Sequence, residues 1–211
     1  MAMRYGRSVL ILALAAAAGS AHAAGIGVRA GTTGLGADFG WEVAPTLGGR
    51  IGLSGMNFNT DVDTSQANYD AKVKLANLNL FLDWSPLGPF RITAGFIANN
   101  NKIDLNGQPT SGSTLIPPGS SITGTVKPDK DFAPYLGIGY GNVWTAGVNF
   151  YFDLGIMFQG SPQVSLSCQP AGSPQCATAQ SQIAAEQQRV QDELNKFKHY
   201  PVLNLGITIG F

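Results

Sequence analysis

Charged side chains are scarce in this sequence of 211 residues. Asp, Glu, Lys and Arg make up 12% of it, about half of the quarter that is usual for soluble domains. The 13 basic and 13 acidic residues balance, and no concentrated basic stretch marks a nucleic-acid partner. No segment after residue 23 is long and apolar enough to be a transmembrane helix. These absences argue against a nucleic-acid-binding protein and against a helical membrane protein.

Histidine and cysteine are equally rare, with two of each. A hydrolase built on His199 would need a carboxylate and a nucleophile or water beside it, and no such motif accompanies it. We therefore predict that the protein is not an enzyme. Cys168 and Cys176 are too few for a metal site, and no metal or cofactor is expected. Their close spacing predicts a disulfide in an oxidising compartment.

The first residues of the chain have the pattern of a secretory signal. Arg4 and Arg7 precede an apolar run at 9–18, and Ala21-His22-Ala23 supplies small residues at a cleavage site. An N-terminal membrane anchor is the alternative, but the apolar run is short for one. We predict a signal peptide at 1–23 and one exported domain at 24–211.

Alternation of apolar and polar residues dominates that domain, and 27 glycines accompany it. Residues 146–158 place Val148, Phe150 and Phe152 on one face and Asn149 and Asp153 on the other. A strand of this length exceeds the soluble average of about five or six residues and suits a tilted membrane span. A secreted or periplasmic β-sandwich remains the alternative to a membrane β-barrel.

The last residues favour the barrel. Leu203, Leu205, Ile207 and Ile209 alternate with polar or small residues, and the chain stops on Phe211. A closed barrel pairs its last strand with its first and leaves no free edge. A terminal phenylalanine in this setting also resembles the signal that outer-membrane barrels present to the assembly machinery. The C-terminus is therefore expected on the periplasmic side.

Turn residues between the alternating segments predict the topology. Short turns at 44–46, 85–89 and 141–143 alternate with longer polar segments near 60–69, 103–128 and 159–197. Between Gly31 and Gly34 the apolar parity reverses, which indicates either a tight turn or a bulge. The turn gives eight strands, an even number as in bacterial barrels. They lie at 26–31, 34–44, 47–59, 69–84, 89–102, 130–141, 144–159 and 198–211.

A short amphipathic helix interrupts the β pattern. Residues 178–198 hold no Pro or Gly and are rich in Ala, Gln and Glu. Ile183, Val190, Leu194 and Phe197 share one face. The helix is expected to pack on the barrel rim, and a mobile lid or a partner-binding helix is the alternative.

Charged residues on the inward face are the candidate pore-lining residues. Arginines and acids in a narrow interior must neutralise one another. An eight-stranded barrel is just wide enough for side chains to fill, so a closed interior is one interpretation. A narrow path that selects small charged or zwitterionic solutes is the other. The candidates are Arg29, Asp38, Glu42, Arg50, Asp83, Arg91 and Asp153.

Four segments resemble the CarO-type outer-membrane proteins of Gram-negative bacteria. They are Gly31–Gly36, Phe132–Tyr140, Gly160–Leu166 and Lys198–Val202. The resemblance implies an eight-stranded barrel in the outer membrane and a slow channel for basic amino acids such as ornithine, with a role in carbapenem entry.

The expected partners are therefore outer-membrane lipid, the assembly machinery through the strand ending at Phe211, and a small-molecule solute. The functional hypotheses are a narrow diffusion channel and a closed structural or adhesive barrel with partner-binding loops. A soluble secreted β-protein is the third.

Overall fold

A computed structural model describes residues 23–63, 67–109 and 119–211. The predicted signal peptide lies outside these residues except for Ala23. In the described part no helix is long and apolar enough to cross a membrane. The elements are β1 (Ala24–Gly31), β2 (Gly34–Ala44), β3 (Leu47–Asp63), β4 (Ala67–Leu87), β5 (Phe90–Asn99), β6 (Lys102–Pro109), β7 (Ser121–Lys127), β8 (Phe132–Tyr140), β9 (Gly147–Met157), β10 (Gln163–Gln169), α1 (Pro174–Leu194) and β11 (Tyr200–Gly210).

Eight of these strands form a closed antiparallel ring. Its order is β4-β3-β2-β1-β11-β9-β8-β5, and pairing of the C-terminal half of β4 with β5 closes it. Gly25 pairs with Gly210, so the first and last strands meet as predicted. Gly31 pairs with Gly34 across two turn residues, and Gly34 has a φ of 95°. The parity reversal is therefore a tight turn, and the eight predicted strands are confirmed.

The ring has an apolar exterior and a polar interior. Alternation along each strand sends every second side chain outward, and those residues are predominantly apolar and exposed. This is the reverse of a soluble domain and suits a surface in contact with lipid. Exposed apolar side chains of the ring include Val28, Leu35, Leu53, Leu80, Phe96, Leu136, Ile138, Phe150, Leu205 and Ile207.

The two ends of the barrel differ. The end with the connections at 45–46, 88–89 and 141–146 and with both described chain ends is called the turn end. The opposite end, called the loop end, carries the longer connections and the two-residue turn at Thr32-Thr33.

A second sheet rises from the loop end. β3 and β4 continue beyond the ring. There β6 pairs with residues 67–74 of β4, β7 pairs with β6, and β10 pairs with β7, which gives the order β3-β4-β6-β7-β10. We call this sheet, which begins at Met56 on β3, the extension. The polar segments predicted at 103–128 and 159–197 therefore contain strands, and β3 and β4 extend into the one near 60–69. In β6, β7 and β10 the alternation of apolar and polar residues covers only a few positions, as with Ile103 and Leu105. The sequence pattern therefore indicates these strands only weakly.

Polarity inverts where the ring passes into the extension. On β4, outward Leu78 and Leu80 give way to outward Lys72 and Lys74. Inward positions change in the opposite sense, from Asn77 and Asn79 to apolar residues. Registered apolar residues line that inner face of the extension: Phe58, Val73, Ile103, Val126 and Val164.

The helix α1 packs on the extension and not on the barrel rim. Ala179 and Ile183 contact Ile122 of β7. The helix begins earlier than predicted because Ser173 caps it, accepting a hydrogen bond from the Cys176 amide at 3.2 Å. It ends at Leu194, which leaves Phe197 outside it and 60% exposed.

The predicted disulfide is present. Cys168 of β10 is bonded to Cys176 of α1, with 5.6 Å between the Cα atoms. The bond therefore ties the first turn of the helix to the outermost strand of the extension.

Candidate functional site in the barrel interior

Six of the seven charged residues predicted to point inward are buried in the barrel. They are at most 3% exposed: Arg29, Asp38, Arg50, Asp83, Arg91 and Asp153. Glu42 differs. It is half-buried near the turn end, where its backbone amide donates to the carbonyl of Ala23 at 2.8 Å.

Arg50 connects opposite walls of the barrel. It lies on β3, and β9 lies four strands away in the eight-stranded ring. Its Nη1 and Nη2 donate to the two carboxylate oxygens of Asp153 on β9 at 2.8 and 3.1 Å. Its Nε and Nη2 donate to Asp83 on β4 at 2.9 and 3.3 Å. Both contacts have the bidentate geometry in which guanidinium and carboxylate groups bind most strongly.

Arg91 of β5 completes this group. Its Nη2 donates to Asp153 at 2.5 Å, and its Nε lies 3.3 Å from an oxygen of Asp83. Thr93 donates to Asp83 at 2.5 Å. We call Arg50, Asp83, Arg91 and Asp153 the central cluster. Its two arginines and two aspartates cancel in charge, which offsets the cost of removing four ions from water.

A second neutral pair lies beside the central cluster. Arg29 donates to Asp38 at 3.0 Å, and the hydroxyl of Tyr151 also donates to Asp38. When the side-chain amide of Asn79 is oriented so that its oxygen faces Arg29, this oxygen accepts hydrogen bonds from the guanidinium group. Glycines make room for these side chains, since a Cβ at Gly206 would lie 2.1 Å from the Tyr151 ring.

The connection between β8 and β9 closes the turn end. Val143 and Trp144 fold into the barrel and are 0% and 6% exposed. A Cβ at Gly48 would lie 2.3 Å from the Trp144 ring, and one at Gly40 would lie 2.8 Å from Val143. We call Val143 and Trp144 the turn-end plug. The sequence predicted a short turn at 141–143 and a strand from 144, but β9 begins at Gly147. The adjacent bulky apolar residues Val143 and Trp144 were a usable signal for a buried connection.

An apolar layer, which we call the loop-side layer, covers the central cluster on the loop side. The rings of Phe81 and Tyr135 are 4.7 Å apart, and Arg50 lies 5.0 Å from the Phe81 centroid. Residues from four further inward positions complete the layer: Ile97, Ala133, Met157 and Val202. The central cluster thus lies between the turn-end plug and the loop-side layer.

This arrangement fastens the barrel wall together and keeps water away from the charges of the central cluster. Every side chain of the central cluster is at most 1% exposed. Among the described residues, no group of three or more His, Cys, Asp or Glu is placed to hold a metal ion. His199 is exposed and packs edge-on against Phe158.

A closed antiparallel ring with an apolar exterior and an enclosed polar interior defines a transmembrane β-barrel. No protein-family model and no curated protein matches the chain. Solved structures do match it. Acinetobacter baumannii CarO2 superimposes with a TM-score of 0.62, at 21% identity, over 90% of this chain and 98% of that one. Acinetobacter baumannii CarO gives a TM-score of 0.62 at 22% identity over 89% and 97%. The predicted likeness to CarO-type barrels is confirmed at the level of the fold.

Proposed function

We propose that the protein is an outer-membrane barrel that is closed to solutes and holds the extension and α1 at the membrane surface. The observation that carries this proposal is the buried, neutral central cluster, in which Arg50 joins opposite walls. The signal-peptide pattern at 1–23 and the lipid-facing exterior support the outer membrane as its location. In the proposed orientation the turn end faces the periplasm and the loop end faces the outside of the cell. The C-terminus is then periplasmic, and α1 and the disulfide are extracellular.

The extension is the part of the molecule available to partners. It stands beyond the apolar exterior of the ring, and its outer face is polar. Loops and surface elements held by a rigid scaffold commonly carry recognition. A structural or adhesive role for the extension therefore follows from a barrel that does not conduct.

A narrow diffusion channel is the second candidate. The observation in its favour is the polar interior. Apolar side chains could fill and rigidify the barrel without the cost of burying ions, so the charged residues suggest a role beyond stability. Its solutes would be small charged or zwitterionic molecules, with basic amino acids suggested by the CarO-type resemblance. Conduction would require rearrangement of the central cluster, the turn-end plug and the loop-side layer.

Single-channel recording in planar bilayers separates the two candidates. The sample is folded protein, identified by its altered gel migration after heating, with a general porin as positive control. The closed barrel gives no conductance steps across several preparations at neutral pH. Reproducible steps that respond to added basic amino acids, with neutral and acidic ones for comparison, would overturn the closed barrel and establish the channel.

A further inference from the structure

Lysines form a row on the outer face of the extension. Lys74 of β4 pairs directly with Lys102 of β6. The next residue of β6, Ile103, pairs with Val126 of β7, so Lys127 follows in the same row. Adjacent strands lie about 4.8 Å apart, which places the three ammonium groups along about 10 Å of surface. We call Lys74, Lys102 and Lys127 the lysine row.

The lysine row lies just beyond the lipid-facing belt. The last registered row of that belt contains Leu78, Ala98 and Phe132. Lys74 is four residues beyond Leu78, or about 13 Å along the strand. With a strand tilt of about 40°, this corresponds to about 10 Å along the barrel axis. In the structure the ammonium groups of Lys74 and Lys102 lie against Asp104, on the side of the row away from the belt. Rotation of these long, flexible side chains toward the membrane brings the ammonium groups to the level of the headgroups.

Positive charge exceeds negative charge at this level. Like charges directly opposite each other destabilise a sheet, and Lys74 and Lys102 share one carboxylate, Asp104, at 3.1 and 2.6 Å. The hydrogen bond from Lys102 offsets burial and lowers the pKa of Asp104, which therefore stays ionised at neutral pH. Lys72 pairs with Asp104 from β4 and adds a further cation.

The remaining neighbours do not neutralise the row. Lys127 pairs with Gln163, whose amide donates to Asp129 at 3.4 Å. Lys72, the lysine row, Asp104 and Asp129 therefore sum to four positive and two negative charges. The next acidic pair, Asp61 opposite Asp70, lies farther from the lipid-facing belt.

We propose that the lysine row binds the phosphate groups of lipid headgroups in the leaflet at the loop end. The ligand class is a phosphorylated glycolipid whose acyl chains contact the belt below. Ammonium groups are compact charges that pair well with phosphate at a hydrated interface. The inference rests on the membrane-embedded barrel of the proposed function and is independent of whether the interior conducts.

The test uses the full folded protein in a neutral detergent. Binding of lipid A and of its fully dephosphorylated form is measured by native mass spectrometry. The variant K74Q/K102Q/K127Q is compared with K130Q/K196Q/K198Q, which removes the same charge from lysines at the loop end but outside the row. We expect the native protein to prefer lipid A, and the row variant to bind it on the order of a hundredfold more weakly. The control variant should stay within about threefold of the native protein, because its lysines lie outside the lysine row and isolated exposed charges contribute little.

Three outcomes would overturn the inference. They are equal losses in the two variants, equal binding of the dephosphorylated lipid, or displacement of lipid A by millimolar inorganic phosphate alone. Heat-dependent gel migration verifies that each variant is folded. Bilayer recordings on the same samples keep this test separate from the proposed function, because an open channel that still binds lipid A would contradict only the closed barrel.

Discussion

Arg50 and Asp153 face each other across the barrel and are joined by two hydrogen bonds of 2.8 and 3.1 Å. They belong to β3 and β9, which share no backbone hydrogen bonds because they lie on opposite sides of the ring. The pair therefore adds a direct connection between walls that are otherwise linked only through the intervening strands. Since Arg50 also binds Asp83, one guanidinium holds two carboxylates.

Replacing Arg50 with alanine is expected to destabilise the barrel strongly. It leaves Asp83 and Asp153 with one arginine between them, and breaking a buried ion pair costs about 3–5 kcal/mol. The midpoint of unfolding in guanidinium, followed by gel migration, should fall accordingly. Arg189, an exposed helix arginine paired with Glu186, provides the control, and R189A should change the midpoint little. An unchanged midpoint for R50A would mean that the central cluster does not fasten the wall.

Removal of Trp144 tests whether the enclosing layers act in series. W144A removes a buried indole and should cost about 3–5 kcal/mol of stability. Because the central cluster and the loop-side layer remain in place, we expect W144A to give no bilayer conductance. W84A is the matched control, since Trp84 is 49% exposed on the outside. Conductance from W144A alone would show that the turn-end plug is the only barrier.

The glutamines of α1 are expected to protect the outer edge of the extension. The side-chain oxygens of Gln187 and Gln191 accept from the amides of Leu166 and Val164, each at 3.0 Å. Residues four apart on a helix and two apart on a strand are both separated by about 6 Å. The spacing of the two glutamines therefore equals the spacing of the two amides. In Q187A/Q191A these amides should exchange hydrogen faster, by about tenfold for each bond lost. Q188A is the control, because Gln188 bonds Asp192 on the exposed face. Equal protection in both variants would contradict this role.

Phe211 allows assembly to be separated from barrel closure. Its amide and carbonyl bond Ala24 at 2.7 and 2.9 Å, while its side chain is 71% exposed. F211Q keeps the backbone bonds and should refold normally in detergent, but its yield in the outer membrane should drop severalfold if the assembly machinery reads the aromatic ring. F150Q changes an equally exposed phenylalanine and serves as control. Equal yields of the two variants would exclude recognition of Phe211.

The ring was predictable because each of its strands carries a long alternation with one lipid-facing side. The charged interior followed from the same parity, since Arg50 and Asp153 occupy inward positions on strands that were correctly identified. Their direct contact was not predictable, because the sequence does not give the order in which distant strands stand opposite each other.

The extension escaped prediction for a different reason. Strands such as β7 and β10 have only seven residues each, and one face of the extension is covered only in part by α1. The polar residues of the outer face then give these segments the composition of a loop. The turn-end plug was missed because Val143 and Trp144 follow a glycine turn, where local signals favour a short surface connection.

The inversion of polarity along β4 fixes how deeply the molecule sits in its bilayer. A shift outward would carry Leu78 into water and forfeit about 1.5–3 kcal/mol for a fully exposed side chain of that size. A shift inward would press Lys74 toward hydrocarbon, where a lysine at full depth costs about 2.5–3.5 kcal/mol. Displacement in either direction is opposed, so the sheet that carries α1 is held at a constant height above the lipid.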